Sequence, residues 1–99
     1  MAQGLIVIAN MPRLKWNFKR YEDFLKCYGF KYGHTEGSHY YYNGRILGIS
    51  RVVQVIFSHK EKDCQSIRTI KMGMKHSGIP KVYYEEWDKT EKVHAEIIY

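Results

Sequence analysis

The chain predicts an α+β domain, one helix followed by three antiparallel strands and a second helix, and three observations carry that prediction. From Asn17 onward, Phe18, Tyr21, Leu25 and Tyr28 recur at three- and four-residue spacing, the period of one helix face. Between Phe30 and Ser58 the β-branched and aromatic residues fall into three runs broken at Gly37 and Gly48. After Asp63 the helical spacing returns in Cys64, Ile67, Ile70 and Met74, and it stops at Gly78 and Pro80.

Taken in order, the first element is a short apolar run, Leu5-Ile6-Val7-Ile8-Ala9, read as an extra N-terminal strand. It is too short to span a bilayer, and no basic residue precedes it as a secretory signal would require. In the first helix Asn17 caps the start, Gly29 supplies the left-handed end, and Lys19, Arg20, Glu22 and Lys26 fall off the apolar stripe. Phe30 to Glu36 reads as a strand, and Ser38 to about Leu47 as a second strand with an irregularity at Asn43-Gly44. Gly48-Ile49-Ser50 is the expected turn into a third strand, Arg51 to Ser58. In that strand Val53, Val55 and Phe57 share one face and Val52, Gln54 and Ile56 the other, so Gln54 marks the wetter face.

Asp63 is the expected cap of the second helix. Gly73 inside that helix costs about 1 kcal/mol relative to alanine, so packing must hold its turn. Beyond Pro80, the run Val82 to Trp87, the turn-like Asp88-Lys89-Thr90 and the alternating Val93, Ala95, Ile97 and Tyr99 read as a C-terminal β-hairpin. Such a hairpin pairs with residues 5–9 to extend the sheet, forms a second small layer, or serves as a surface for self-association or a protein partner. Helix, three antiparallel strands, helix is the layout of the double-stranded RNA-binding type of α+β fold.

At 99 residues this is a single domain. Sixteen Lys and Arg against ten Asp and Glu leave a net charge of +6, which favours polyanionic partners such as nucleic acid. Two cysteines, Cys27 and Cys64, suit a reducing cytoplasmic setting and are expected to be free and packed in the core. No His and Cys cluster has metal-ligand spacing, so neither a metal nor another cofactor is expected. Arg68, Lys71 and Lys75 fall on one face of the second helix, a line of cations about 10 Å long that reads either as a phosphate-positioning line or as an ordinary solvated face. Lys15 and Arg13 are lesser candidates for the same role.

Gly37-Ser38-His39 is the stretch with the most chemical content. It sets a histidine at the head of the aromatic strand His39-Tyr40-Tyr41-Tyr42, where rigid backbone lets an imidazole move protons near neutral pH. Period two puts His39 and Tyr41 on one face, so Tyr41 flanks His39 and either offers a ring for an RNA base to stack on or serves as a cross-strand packing residue. His34, His76 and His94 have no supporting spacing and read as surface or packing residues.

From about Met11 to Ile79 the chain resembles the HicA family, the small mRNA-cleaving toxins of HicAB toxin–antitoxin modules. Met11-Pro12-Arg13 resembles the family's Pro-Arg lead-in, Tyr28-Gly29-Phe30 its helix-to-strand junction, and Gly37-Ser38-His39 its Gly-Ser-His signature. Asn43 to Arg51 is similar to a longer hairpin in some members, and Phe57-Ser58-His59 to a strand end. Ser66 to Ile70 and His76-Ser77-Gly78-Ile79 resemble the second helix and its closing Gly-Ile. Three features depart from the pattern. Tyr40 stands where many members have a second histidine, Gln65-Ser66 replaces a Gly-Thr step, and residues 1–10 and 80–99 extend the core at both ends.

The resemblance implies a metal-independent endoribonuclease of a type II toxin–antitoxin system, with His39 as general acid and base and a HicB-like antitoxin as partner. His59, Lys60 and Arg51 are the candidates to assist His39 at the strand ends. Two other classes stand beside this one: a non-catalytic RNA-binding domain, which keeps the basic helix and needs no histidine at 39, and a protein-interaction module that works through the tails.

Overall fold

Asn17 starts the first helix as its sequence position requires. Its side-chain oxygen accepts from the Arg20 N–H at 2.8 Å, and helix α1 runs Phe18–Cys27. At the other end Tyr28 closes the helix, Gly29 takes φ +83°, and the Phe30 N–H returns to the Leu25 carbonyl at 2.9 Å. The computed structural model describes residues 14–99. The apolar run 5–9 and the lead-in with Arg13 lie outside the described residues.

Three antiparallel strands follow, β1 (Lys31–Glu36), β2 (His39–Ile46) and β3 (Ile49–Ile56), in the spatial order β1-β2-β3. Helix α2 (Ile67–Ser77), helix α3 (Lys81–Thr90) and a single 3-10 turn (Ala95–Ile97) complete an α+β chain. β2 is therefore the central strand, and its register with β3 is unbroken from His39↔Ile56 to Ile46↔Ile49. The irregularity expected at Asn43-Gly44 sits instead on β1, where the pairing slips between Tyr32 and His34 and leaves Gly33 as the extra residue. Gly44 serves another purpose. A Cβ there would lie 2.7 Å from the ring of Phe30, so the bare backbone makes room for that ring.

Both hairpin turns use glycine for positive φ. In Gly37-Ser38 only Gly37 has positive φ, at +62°, as in a II′ turn. The second turn is Leu47-Gly48, earlier than expected, with φ +54° and +76° as in a I′ turn. A leucine in the left-handed region costs roughly 1–2 kcal/mol. The C-terminal tail offsets that cost, since the Leu47 N–H donates to the Ile97 carbonyl at 2.9 Å and the Gly48 N–H to the Tyr99 carbonyl at 2.7 Å.

The helices cover one face of the sheet. Tyr42, Val53 and Val55 are fully buried there, Tyr42 donates its hydroxyl to Glu22 of α1, and Phe18 packs edge-on against Tyr40 and Phe57. Burial, and then the Glu22 hydrogen bond, push the Tyr42 phenol far above its ordinary range. Val52, on the other face, is 51% exposed, as the alternation of β3 requires.

The second helix begins three residues later than expected. Ser66, not Asp63, caps it by accepting from the Thr69 N–H at 3.1 Å, while Asp63 accepts from the Ser58 hydroxyl at 2.6 Å. The delay follows from Gln65, whose buried amide accepts from the Ile56 N–H at 3.0 Å and donates to the Ile56 carbonyl at 2.7 Å. That amide stands in for a neighbouring strand at the end of β3 and keeps the chain extended. Cys64 is consequently exposed, as is Cys27; both thiols are free, but neither packs in the core. Gly73 does need its packing: a Cβ there would fall 1.7 Å from the Tyr21 oxygen.

Residues 82–99 do not form the expected C-terminal hairpin, and a third helix takes its place. The run Val82 to Trp87 has the composition of a strand, but Tyr84 and Trp87, three residues apart, reach the same apolar cluster only on a helix. Tyr84 stacks on Trp16 with ring centroids 5.5 Å apart and lies 4.4 Å from Phe24, and Trp87 meets both of those rings edge-on. Pro80 at the N-cap suits that start, since its missing N–H is one a helix leaves unpaired anyway. Arg20 lies over the Trp87 ring at 4.1 Å and pairs with Glu91 at 2.7 Å, joining α1 to the end of α3. The following segment is clasped by His94, whose ring stacks on Tyr83 at 3.7 Å and bonds to Glu86. Among the described residues no helix is long and apolar enough to cross a membrane.

Candidate active site

The uncovered face of the sheet carries His34, Glu36, His39, Tyr41 and Gln54. Counting from the Gly37-Ser38 turn, Glu36 pairs with His39 and His34 with Tyr41 across β1 and β2, while Tyr41 pairs with Gln54 and His39 with Ile56 across β2 and β3. Residues directly opposite on one face have Cβ atoms about 4.5–5.5 Å apart, and diagonal neighbours about 7–8 Å apart. His39 therefore has Glu36 beside it and His34 one diagonal away.

The slip at Gly33 decides which residues reach this face. Strict alternation would put Tyr32 and His34 on the same side, but the extra residue sends them to opposite sides. Tyr32 joins the helix-covered face, with its ring 5.9 Å from Tyr40 and its hydroxyl 2.7 Å from that of Thr35. His34 turns outward, lies flat on Tyr41 at 4.6 Å with planes 11° apart, and pairs with Glu36 at 3.2 Å. His39 is exposed and its side chain has no hydrogen bond, ion pair or ring contact among the described residues. Its imidazole is open to solvent on the uncovered face.

The residues expected to assist His39 are not brought to it equally. Arg51 pairs with Gly44, five positions along β3 from the partner of His39, and on the opposite face. Its guanidinium donates to the Ile46 carbonyl at 3.4 Å and fills the space beside Gly78, so it holds the far end of the sheet together. His59 and Lys60 follow β3 in a loop near the head of β2, since the Phe57 N–H donates to the Ser38 carbonyl at 2.8 Å. Phe57, however, packs on Phe18 and Tyr40, and the exposed His59 ring stands edge-on to Phe57 at 5.2 Å. That seats His59 toward α1, on the side of the sheet away from His39. Lys60 is exposed in the same loop.

His34 and His76, read from sequence as surface or packing residues, both belong to the open face. His76 of α2 lines a cavity of about 390 Å³ with Tyr41 and Gln54, between the sheet and the helix flank that carries Thr69 and Met72. One signal for His34 was present in the sequence. A two-residue turn at Gly37-Ser38 pairs Glu36 with His39, which puts His34 on their face. His76 gave none, because its approach to Tyr41 depends on how α2 lies along β3.

Arg68, Lys71 and Lys75 are exposed on α2 and make no ion pair among the described residues. At about 100° per residue they lie on the solvent side of α2, next to the Met72 and His76 flank that borders the cavity. Lys15 is also exposed, at the approach to α1. Among the described residues no group of three or more His, Cys, Asp or Glu side chains is placed to hold a metal ion. No family model, no curated protein and no solved structure matches this chain.

Proposed function

We propose that this chain is a metal-independent endoribonuclease of the HicA type, an mRNA-cleaving toxin on a double-stranded RNA-binding-domain-like fold, acting in the cytoplasm and restrained by a HicB-like antitoxin. The observation that carries the reading is the placement of His39: exposed at the head of the central strand, on the uncovered face, with Glu36 opposite and His34 on the diagonal. The +6 charge and the unpaired cations of α2 suit a polyanionic substrate.

His39 serves as the base. It takes the proton from a ribose 2′-hydroxyl, the freed oxygen attacks the adjacent phosphorus, and the 5′-oxygen of the next nucleotide leaves. His34 in its protonated form gives that leaving oxygen a proton, with Glu36 holding the ring in place by the 3.2 Å contact. The products are a 2′,3′-cyclic phosphate and a 5′-hydroxyl, and no atom is gained or lost. Diagonal neighbours on one face, about 7–8 Å apart in the strands, leave room for a phosphate between their two imidazoles. His34 fits the acid role better than His59, which lies toward α1.

The test is cleavage of RNA in EDTA. His39→Ala is expected to lower the rate by about 10²–10⁴ while RNA binding is kept. His34→Ala is expected to slow an ordinary substrate comparably. It should recover on RNA carrying a 5′-bridging phosphorothiolate, whose sulfur leaves without a proton; His39→Ala should not. Equal binding by wild type and His39→Ala with cleavage by neither would instead make this a non-catalytic RNA-binding domain.

A further inference from the structure

The cavity between the open face and α2 is not used by the proton transfers above, and its walls combine an aromatic ring with polar groups that lack partners. Tyr41 forms one wall. One side of its ring is covered by His34 from β1, and its other side turns toward β3 and α2, where Gln54, Met72 and His76 line the cavity. The Gln54 amide, the Tyr41 hydroxyl and the His76 ring have no hydrogen-bond partner among the described residues, while Val52 and Met72, 51% and 45% exposed, supply apolar contact. The volume, about 390 Å³, lies at the lower end of the ~300–1,000 Å³ range of small-molecule pockets.

We infer that this cavity is a subsite for one unpaired nucleobase, stacked on the free face of Tyr41 and hydrogen-bonded at its edge by the Gln54 amide. The ligand class rests on the RNA-cleaving reading; the geometry of the subsite does not. An aromatic platform contributes about 1–3 kcal/mol per stacked base without regard to sequence. A glutamine amide adds discrimination, because it presents a donor and an acceptor side by side and pairs two-fold with adenine. The subsite thus prefers adenine. Its place in the chain of nucleotides follows from the strand: Tyr41 and His39 are two residues apart on one face, a rise of about 7 Å, close to the length of one nucleotide. The base held on Tyr41 is therefore a neighbour of the phosphate at His39, and the cations of α2 lie along the continuing backbone.

The experiment is an NMR titration of full-length protein with the four nucleoside 3′-monophosphates and with ribose 5-phosphate. None of these contains a cleavable internucleotide bond, so the result does not depend on catalysis. Adenosine 3′-monophosphate should shift the Gln54 side-chain amide together with the Tyr41, Thr69 and His76 resonances. It should bind more tightly than the other nucleotides, and Gln54→Leu should weaken it by about thirtyfold, the loss expected for two net hydrogen bonds. Tyr41→Leu should weaken all four nucleotides alike, and the amide spectra of both variants report whether they fold. Shifts confined to Arg68, Lys71 and Lys75, equal shifts with ribose 5-phosphate, or no shifts would each overturn the subsite. Absence of RNA cleavage together with the predicted shifts would remove the nuclease and leave the base site standing.

Discussion

Tyr41 and Tyr42 are consecutive on the central strand and have opposite fates. Tyr42 is fully buried, donates to Glu22 and is held protonated by its surroundings. Tyr41 stays partly exposed, sandwiched between His34 and an open cavity. The same contrast runs along the neighbouring strand, with Val53 and Val55 buried and Val52 half-exposed. Alternation thus divides one three-stranded sheet into a face that holds the fold together and a face whose polar groups stay exposed to solvent. Stability and the proposed chemistry fall to residues of opposite parity, so each should be open to perturbation with little effect on the other.

The largest effect expected is on the folded face. Trp16→Ala removes a ring that packs on Phe24, Tyr84 and Trp87 and an indole N–H that donates to Asp88 at 2.7 Å. A loss of about 3–5 kcal/mol is expected in urea denaturation followed by circular dichroism. A loss below about 1 kcal/mol would mean that the aromatic cluster between α1 and α3 is not the centre of the core.

Alkali probes the same face by a different route. The Tyr21 and Tyr84 hydroxyls meet at 2.8 Å in the interior, and burial raises both, Tyr84 up to about 12. A phenol whose folded value lies above its unfolded value of about 10 contributes stability that is complete below about pH 10 and is lost as the pH rises through about 12. Tyr84 alone accounts for about 3 kcal/mol over that window. Denaturation midpoints measured from about pH 8 to about pH 12 should fall steeply above about pH 10, and the fall should be shallower in Tyr84→Phe.

The smallest effect belongs to the open face. Gln54→Leu and His39→Ala remove side chains that hold nothing else in place, so each should change the unfolding free energy by no more than about 0.5 kcal/mol. A larger change in either would break the division between the faces.

Much of this arrangement is legible in the residues. Asn17, Gly29, Gly37 and Gly78 punctuate the chain where expected because each does a local job, a side-chain cap or a positive φ. The parity of β3 follows from one polar residue, Gln54, amid valines and isoleucines. What failed was non-local. Val82 to Trp87 has strand composition, and only the position of Trp16 and Phe24 in space makes a helix the better way to bury Tyr84 and Trp87. Glycine within a strand marks either a slip in pairing or a close approach, and sequence does not say which; Gly33 took the first role and Gly44 the second. Gln65 is the subtlest case, since a side chain acting as a strand edge leaves no periodic trace. At the site, His39 and Tyr41 were legible from the turn and the alternation, His34 could have been counted back from the same turn, and His76 was hidden by the packing of α2.

The extra residue at Gly33 also makes the facing of the site a local matter. His34, Glu36, His39 and Tyr41 all fall within eight consecutive residues, 34–41, closed at one end by the slip and folded back by the two-residue turn. Because the slip resets the phase of β1, residues before it can follow the needs of the core while residues after it keep theirs. The four side chains at the hairpin tip thus owe their common facing to local pairing alone, whatever phase β1 keeps before the slip.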